Sequence, residues 1–178
     1  MRKPFVQLSL SPSALSSGDQ SVFHYRANVT TPNDYAQWAV LIRKLVQHWV
    51  DRYGLGEVRQ WFFEVWNEPN LTAFGSGKQS DYFELYASTV RAIKEVEPSL
   101  RVGGPATAAS AWIAEFVKFV DSHGLEADFI STHQYPTDAF GEPGDDTRTQ
   151  LAKSQRGVMR EKAQRAKRQA GARPLYYT

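Results

Sequence analysis

Five short apolar runs alternate with four stretches of helical periodicity, and that order restricts the fold of this chain more than any other feature. The runs lie at residues 5–10, 61–67, 100–103, 129–133 and 174–177. The first helical stretch opens on Thr31-Pro32-Asn33-Asp34. Thr31 can accept a bond from a free first-turn amide, Pro32 lacks the amide that would go unpaired, and Asp34 suits the positive helix end. Trp38, Leu41, Ile42, Leu45, Trp49 and Tyr53 then recur at helical spacing, and Gly54 offers the stop. A second helix is predicted over residues 80–96, with Tyr82, Leu85, Tyr86, Ile93 and Val96 on one stripe. A third carries Trp112, Ile113, Phe116, Val117 and Val120 and closes on His123-Gly124. A Pro/Gly/Asp-rich loop over 136–146 leads into one basic helix that ends near Gly171. Strands joined by connections this long run parallel, because a right-handed crossover brings the chain back to the same end of the sheet.

The length of 178 residues suits a single domain over 1–178, and 42% apolar with 13% aromatic residues is enough for a packed core. A net charge of +2 makes no electrostatic case for nucleic acid or a membrane as partner. The basic stretch from Arg148 to Arg173 holds one acid, Glu161, and reads as a solvated helix face. With no cysteine, disulfides, thiolate nucleophiles and cysteine-ligated metals are excluded. No His/Asp/Glu spacing reads as a metal site, and no cofactor is expected. No run is long and apolar enough to span a bilayer. Leu8-Ser9-Leu10 is too short and mixed for a signal-peptide core. The reading favours a cytoplasmic location for this chain and leaves a longer parent open to export.

A doubly wound sheet would satisfy the same element order. It is weakened by the lack of a Gly-rich phosphate loop after the first strand. The chemistry-bearing residues cluster just past strand ends, where a (β/α)8 barrel keeps its catalytic groups. The residues thus favour an α/β fold with parallel strands, a (β/α)8 TIM-type barrel ahead of a doubly wound sheet that stays open.

The most informative segment is Trp61-Phe62-Phe63-Glu64-Val65-Trp66-Asn67-Glu68-Pro69-Asn70-Leu71, a strand running into a loop. Strand alternation predicts Phe62, Glu64, Trp66 and Glu68 on one face. Carboxyl groups placed among aromatic rings and beside one another are favoured in the protonated form. Such an acid is what a departing glycosidic oxygen needs as proton donor. Pro69 ends the ladder and holds Glu68 at the rim. Asn67 can donate to a sugar hydroxyl, and Trp66 offers a face for stacking on a sugar ring. The bland reading is a strand end with an Asn-Glu-Pro turn. His133 and Tyr135, two residues apart, share a face at another strand end. His24 lies in a loop after the first strand and could edge the same site. His48 sits within the first helix, and His123 suits a helix C-terminus.

That eleven-residue run resembles the fourth barrel strand of family 39 glycoside hydrolases, the β-xylosidase and α-L-iduronidase family of clan A. The resemblance extends along the chain. Residues 4–10 are similar to the third strand and residues 33–54 to the following helix. Gly103-Gly104-Pro105-Ala106 resembles the end of strand five, and Ser131-Thr132-His133-Gln134-Tyr135-Pro136 resembles strand six. The resemblance implies that Glu68 is the acid/base and that Asn67 bonds the hydroxyl beside the reacting carbon. It implies too that His133 and Tyr135 line the glycone pocket, with the Tyr135 hydroxyl near the nucleophile.

A retaining enzyme needs a second carboxylate roughly 5 Å from the first. The family places it at the end of strand seven, which Leu175-Tyr176-Tyr177-Thr178 resembles, so the nucleophile is expected just after Thr178. Glu64 lies roughly 13 Å along the strand from Glu68 at ordinary strand rise. Asp138 and Glu142 lie in a loop and stay open as alternatives. The chain is thus expected to carry about strands three to seven of eight. It would be a fragment of an exo-β-xylosidase-like enzyme acting on xylosides or xylo-oligosaccharides, and inactive alone. The alternatives are a non-catalytic remnant or carbohydrate-binding pseudoenzyme, and an iduronidase-like or glucosidase-like specificity. Uncovered sheet edges would offer an oligomer contact.

Overall fold

The computed structural model describes residues 3–138 and 144–178. The five apolar runs become strands β1 (Phe5–Leu8), β4 (Phe62–Val65), β5 (Arg101–Thr107), β6 (Phe129–Thr132) and β7 (Leu175–Tyr177). They form one sheet in the order β1-β4-β5-β6-β7, every pair parallel. The sequence segment between the first two runs also holds an antiparallel hairpin of β2 (Ser21–Val22) and β3 (Ala27–Asn28). Its periodicity gave no sign of strands, because two residues are too few to show alternation.

The helices are α1 (Tyr35–Tyr53), the short α2 (Leu55–Val58), α3 (Gln79–Val96), α4 (Ile113–Ser122), α5 (Thr147–Lys153) and α6 (Val158–Ala170). The cap of α1 differs from expectation: Asp34, not Thr31, accepts from the amides of Ala36 (2.8 Å) and Gln37 (3.2 Å). Gly54, at φ 82°, ends the helix as predicted. The basic stretch is two helices rather than one. Ser154, in extended backbone, ends the first, and Gly157, left-handed at φ 93°, precedes the second. Of the loop over 136–146, residues 139–143 lie outside the described residues, Glu142 among them. No helix among the described residues is long and apolar enough to cross a membrane.

One face of the sheet packs on helices. Leu8, Phe63, Val65, Val102 and Ile130 join Trp38, Ile42, Leu85, Tyr86, Phe116 and Val120 in a single buried core. The Trp38 indole N–H donates to Thr89 Oγ1 at 2.8 Å and so ties α1 to α3 inside that core. The other face curls on itself. In a flat sheet β1 and β7 would stand about 19 Å apart, four strand spacings. Instead the Phe5 and Tyr176 rings are 5.8 Å apart, and both meet Phe62 and Phe129. Gly103 leaves the room for the Phe129 ring, since a Cβ there would collide with it. The architecture is the curved parallel sheet of a TIM-type barrel with five of eight strands. Its concave side is layered as such barrels are, with an aromatic floor and, one register step up, Gln7, Glu64 and Ser131.

Candidate active site

The strand mouths above that polar layer bring Glu68 and His133 together by a route that alternation did not anticipate. Trp66, at φ 71°, and Glu68, at φ 44°, both adopt left-handed backbone. For residues with a side chain this stores roughly 1–3 kcal/mol each, a strain that clusters at functional sites. The first kink takes Trp66 out of the alternating series. Its ring is 2% exposed, meets Trp38 edge-on at 6.4 Å, and donates its N–H to the Phe74 carbonyl at 2.7 Å. Trp66 is therefore a core residue on the helix side of the sheet. The expected stacking of its face on a sugar is not available.

Glu68 carries the second kink, and its amide donates to the Ala106 carbonyl at 2.8 Å. A hydrogen bond of 2.8 Å then joins Glu68 Oε1 to His133 Nδ1, across 65 positions of sequence. Both side chains are close to nine-tenths buried, 13% and 11% exposed. His133 is fixed by its own backbone, which donates to the Thr107 carbonyl and accepts from Ser110. Its Nε2 is buried with no hydrogen-bond partner among the described residues. Two proton arrangements fit this pair. A carboxylate accepts from Nδ1–H, or a carboxylic acid donates to the bare Nδ1 and leaves the ring proton on Nε2. The pair can therefore move a proton while staying hydrogen-bonded.

Asn67 lies half-buried beside Glu68, and its Oδ1 accepts from Gln7 Nε2 at 3.2 Å. A cleft of about 520 Å³ opens beside Asn67, with Gln7, Ser9, Phe23, Tyr25 and Phe74 among its walls; Glu68 and His133 are not among its lining residues. The hairpin of β2 and β3 thus frames the cleft through Phe23 and Tyr25, which stack at 5.3 Å. His24 is exposed at the turn, edge-on to Tyr25, and is not among the lining residues. Tyr135 lies past the end of β6 and is 58% exposed. Its amide donates to Asp138 Oδ2 at 2.6 Å. Among the described residues no hydrogen bond or ring contact joins its phenol to Glu68 or His133. Strand alternation does not carry through to it, because β6 stops at Thr132.

Glu64 is committed to hydrogen bonds within the sheet. It is 1% exposed, and both oxygens are engaged, Oε2 by Gln7 Nε2 at 3.0 Å and Oε1 by Thr178 Oγ1 at 2.8 Å. Asp138 is engaged by Gln134 and by the Tyr135 amide. The hydrogen bonds about Glu68 include no second carboxylate among the described residues. Nor do the described residues hold a group of three or more His, Asp or Glu placed to take a metal ion. Two contributors escaped the sequence reading. Gln7 sits on the concave face in register with Glu64, a pairing visible only once the strand partners are known. Asn70 clamps the peptide of Ala108, Nδ2 donating to its carbonyl (3.1 Å) and Oδ1 accepting from its amide (2.9 Å).

Known proteins with the same pattern were found by sequence and by structure. The model of the glycosyl hydrolases family 39 matches residues 1–178. A β-xylosidase of Caldicellulosiruptor saccharolyticus is 49% identical over 177 residues, which is 99% of this chain and 36% of that protein. A β-xylosidase of Geobacillus stearothermophilus is 46% identical over 140 residues, covering 77% of this chain and 28% of the relative. The crystal structure of a monomeric β-xylosidase from Caulobacter crescentus CB15 superposes with a TM-score of 0.86 at 40% identity, over 99% of this chain and 37% of that one. The chain spans about a third of the length of these relatives. On the family match and these likenesses together, the chain belongs to family 39 of the glycosyl hydrolases.

Proposed function

We propose that this chain supplies the acid/base half of a retaining β-xyloside hydrolase, with Glu68 as the carboxyl group that protonates the leaving oxygen. The observation that carries the reading is the 2.8 Å bond between Glu68 and His133 at the mouths of two parallel strands. Glu68 gives its proton to the departing oxygen, then takes one from the water that attacks the glycosyl-enzyme. His133 holds the carboxyl group in place, and Asn67 donates to a hydroxyl of the sugar. The substrate class follows the β-xylosidase relatives. The partner carboxylate that retention requires is assigned to a longer protein of which this chain is a part.

In that longer protein, Glu68→Gln lowers turnover of a xyloside with a poor leaving group by roughly 10²-fold or more. An undiminished rate in that variant would remove Glu68 from the mechanism. A second reading, a sugar-binding chain without turnover, draws on the lack of a second carboxylate in the bonds about Glu68. Steady hydrolysis of an aryl xyloside by purified residues 1–178 defeats it.

A further inference from the structure

A carboxylate at the position of Glu64 has no packing reason to be there. It is 1% exposed, one register step above an aromatic floor, where an apolar side chain would fill the space without desolvating a charge. What Glu64 does is hold the side-chain amide of Gln7. The Gln7 Nε2 carries two hydrogens and has two acceptors, Glu64 Oε2 at 3.0 Å and Asn67 Oδ1 at 3.2 Å. Its Oε1 accepts from Ser9 Oγ at 3.2 Å. Every polar position of the amide is thereby specified. A flipped amide would set its oxygen against the Glu64 carboxylate and lose both bonds.

The consequence falls on Asn67. An asparagine at a cleft wall can present its carbonyl or its NH2, and the two ask for different ligand groups. Because Gln7 donates to Oδ1, the Nδ2 of Asn67 is left as the donor. Among the described residues it has no protein acceptor, and the cleft of about 520 Å³ lies alongside. We propose that Gln7, oriented by Glu64, is a positioning residue that sets the side-chain amide of Asn67 as a hydrogen-bond donor toward a ligand hydroxyl. The inference rests on the reading of Asn67 as a sugar contact. It adds that strand β1, far from Glu68 in sequence, decides which way that contact faces. Thr178 closes the other side of Glu64, so three strands of the sheet meet in one polar chain.

The test is ¹⁵N relaxation of side-chain amides in the 178-residue chain, with the Asn67 signal assigned by its loss in Asn67→Asp. The Asn67 amide of the wild type is expected to be rigid, with an order parameter near 0.85 although the residue is only half-buried, and a value below about 0.6 overturns the proposal with no variant needed. Gln7→Asn keeps an amide but is one methylene too short to bridge Glu64 and Asn67. It should drop the Asn67 order parameter below about 0.6 while sheet backbone amides keep theirs. Unchanged rigidity of Asn67 in Gln7→Asn also overturns the proposal. Whether Asn67 meets a sugar is read separately, from the shift of its signal on adding phenyl β-D-thioxyloside to the wild type. An unshifted signal there overturns the proposal that the Asn67 donor faces a ligand, while the hydrolase reading stands or falls on the turnover of Glu68→Gln.

Discussion

Asn70 offers a quantitative test of how the Glu68 loop is held. Its side chain makes a reciprocal pair with one peptide unit, Ala108, at 2.9 and 3.1 Å. Two positions earlier in each segment, the Glu68 amide donates to Ala106. The loop after β4 is thus joined to the end of β5 and the turn beyond it by two rungs, one of them made by a side chain. Asn70→Ala removes that rung. At about 0.5–1.5 kcal/mol net per bond, the loss is about 1–3 kcal/mol, and the partly buried Ala108 groups keep it toward the upper half. For a chain of this size each kcal/mol lowers Tm by roughly 2–4 °C, so a fall of about 4–12 °C is expected for about 2–3 kcal/mol. Asn70→Asp separates donor from acceptor. At neutral pH an aspartate still accepts from the Ala108 amide but faces its carbonyl with a second oxygen. Once protonated, the acid donates to that carbonyl as Asn70 does, so its deficit relative to wild type should shrink in mild acid. Urea unfolding followed by tryptophan fluorescence at two pH values measures this, and exchange of the Ala108 amide localises it. An Asn70→Ala variant within about 0.5 kcal/mol of wild type would refute the clamp, as surface changes without such a role commonly fall within that range.

Two further outcomes follow from packing and burial. A methyl group at Gly104 would run into the Tyr82 hydroxyl, which donates to the Val65 carbonyl at 3.2 Å, so Gly104→Ala should cost about 1–3 kcal/mol. Adding Tyr82→Phe to Gly104→Ala should recover part of that, and strict additivity in the double-mutant cycle would contradict the contact. Burial, with the charges of Glu84 and Asp81, pushes the Tyr35 phenol from its ordinary 10.0 up to about 12. Burial raises Tyr82 and Tyr86 well above their ordinary range as well. The folded state keeps these protons while the unfolded chain gives up its own near 10. The stability they confer is complete below that pH and is lost as pH rises through the folded values. A phenolate absorbance titration should lose a step near pH 12 in Tyr35→Phe, and Tyr82 and Tyr86 should report only with unfolding.

The sequence by itself determined the parallel α/β order, the helix stripes, the stop at Gly54 and the cap at His123-Gly124. These depend on interactions within a few residues, whose spacing is written directly in the chain. It also singled out Glu68 and His133, because a carboxyl group and an imidazole just past strand ends are legible as residue types at strand boundaries. Their 2.8 Å contact was not legible, since it needs two strands to be placed side by side. Tertiary structure alone decided where Trp66 points. Alternation assigned it to the site, but one left-handed residue in the middle of the motif reversed its face and sent it into the core. It alone also recruited Gln7, Asn70 and the Phe23–Tyr25 hairpin, which carry no local signal of their own. The physical reason is that periodicity records which face a side chain occupies only while the backbone stays regular. A barrel mouth is where the backbone stops being regular and distant strands converge, so contacts there are fixed by the curvature of the sheet.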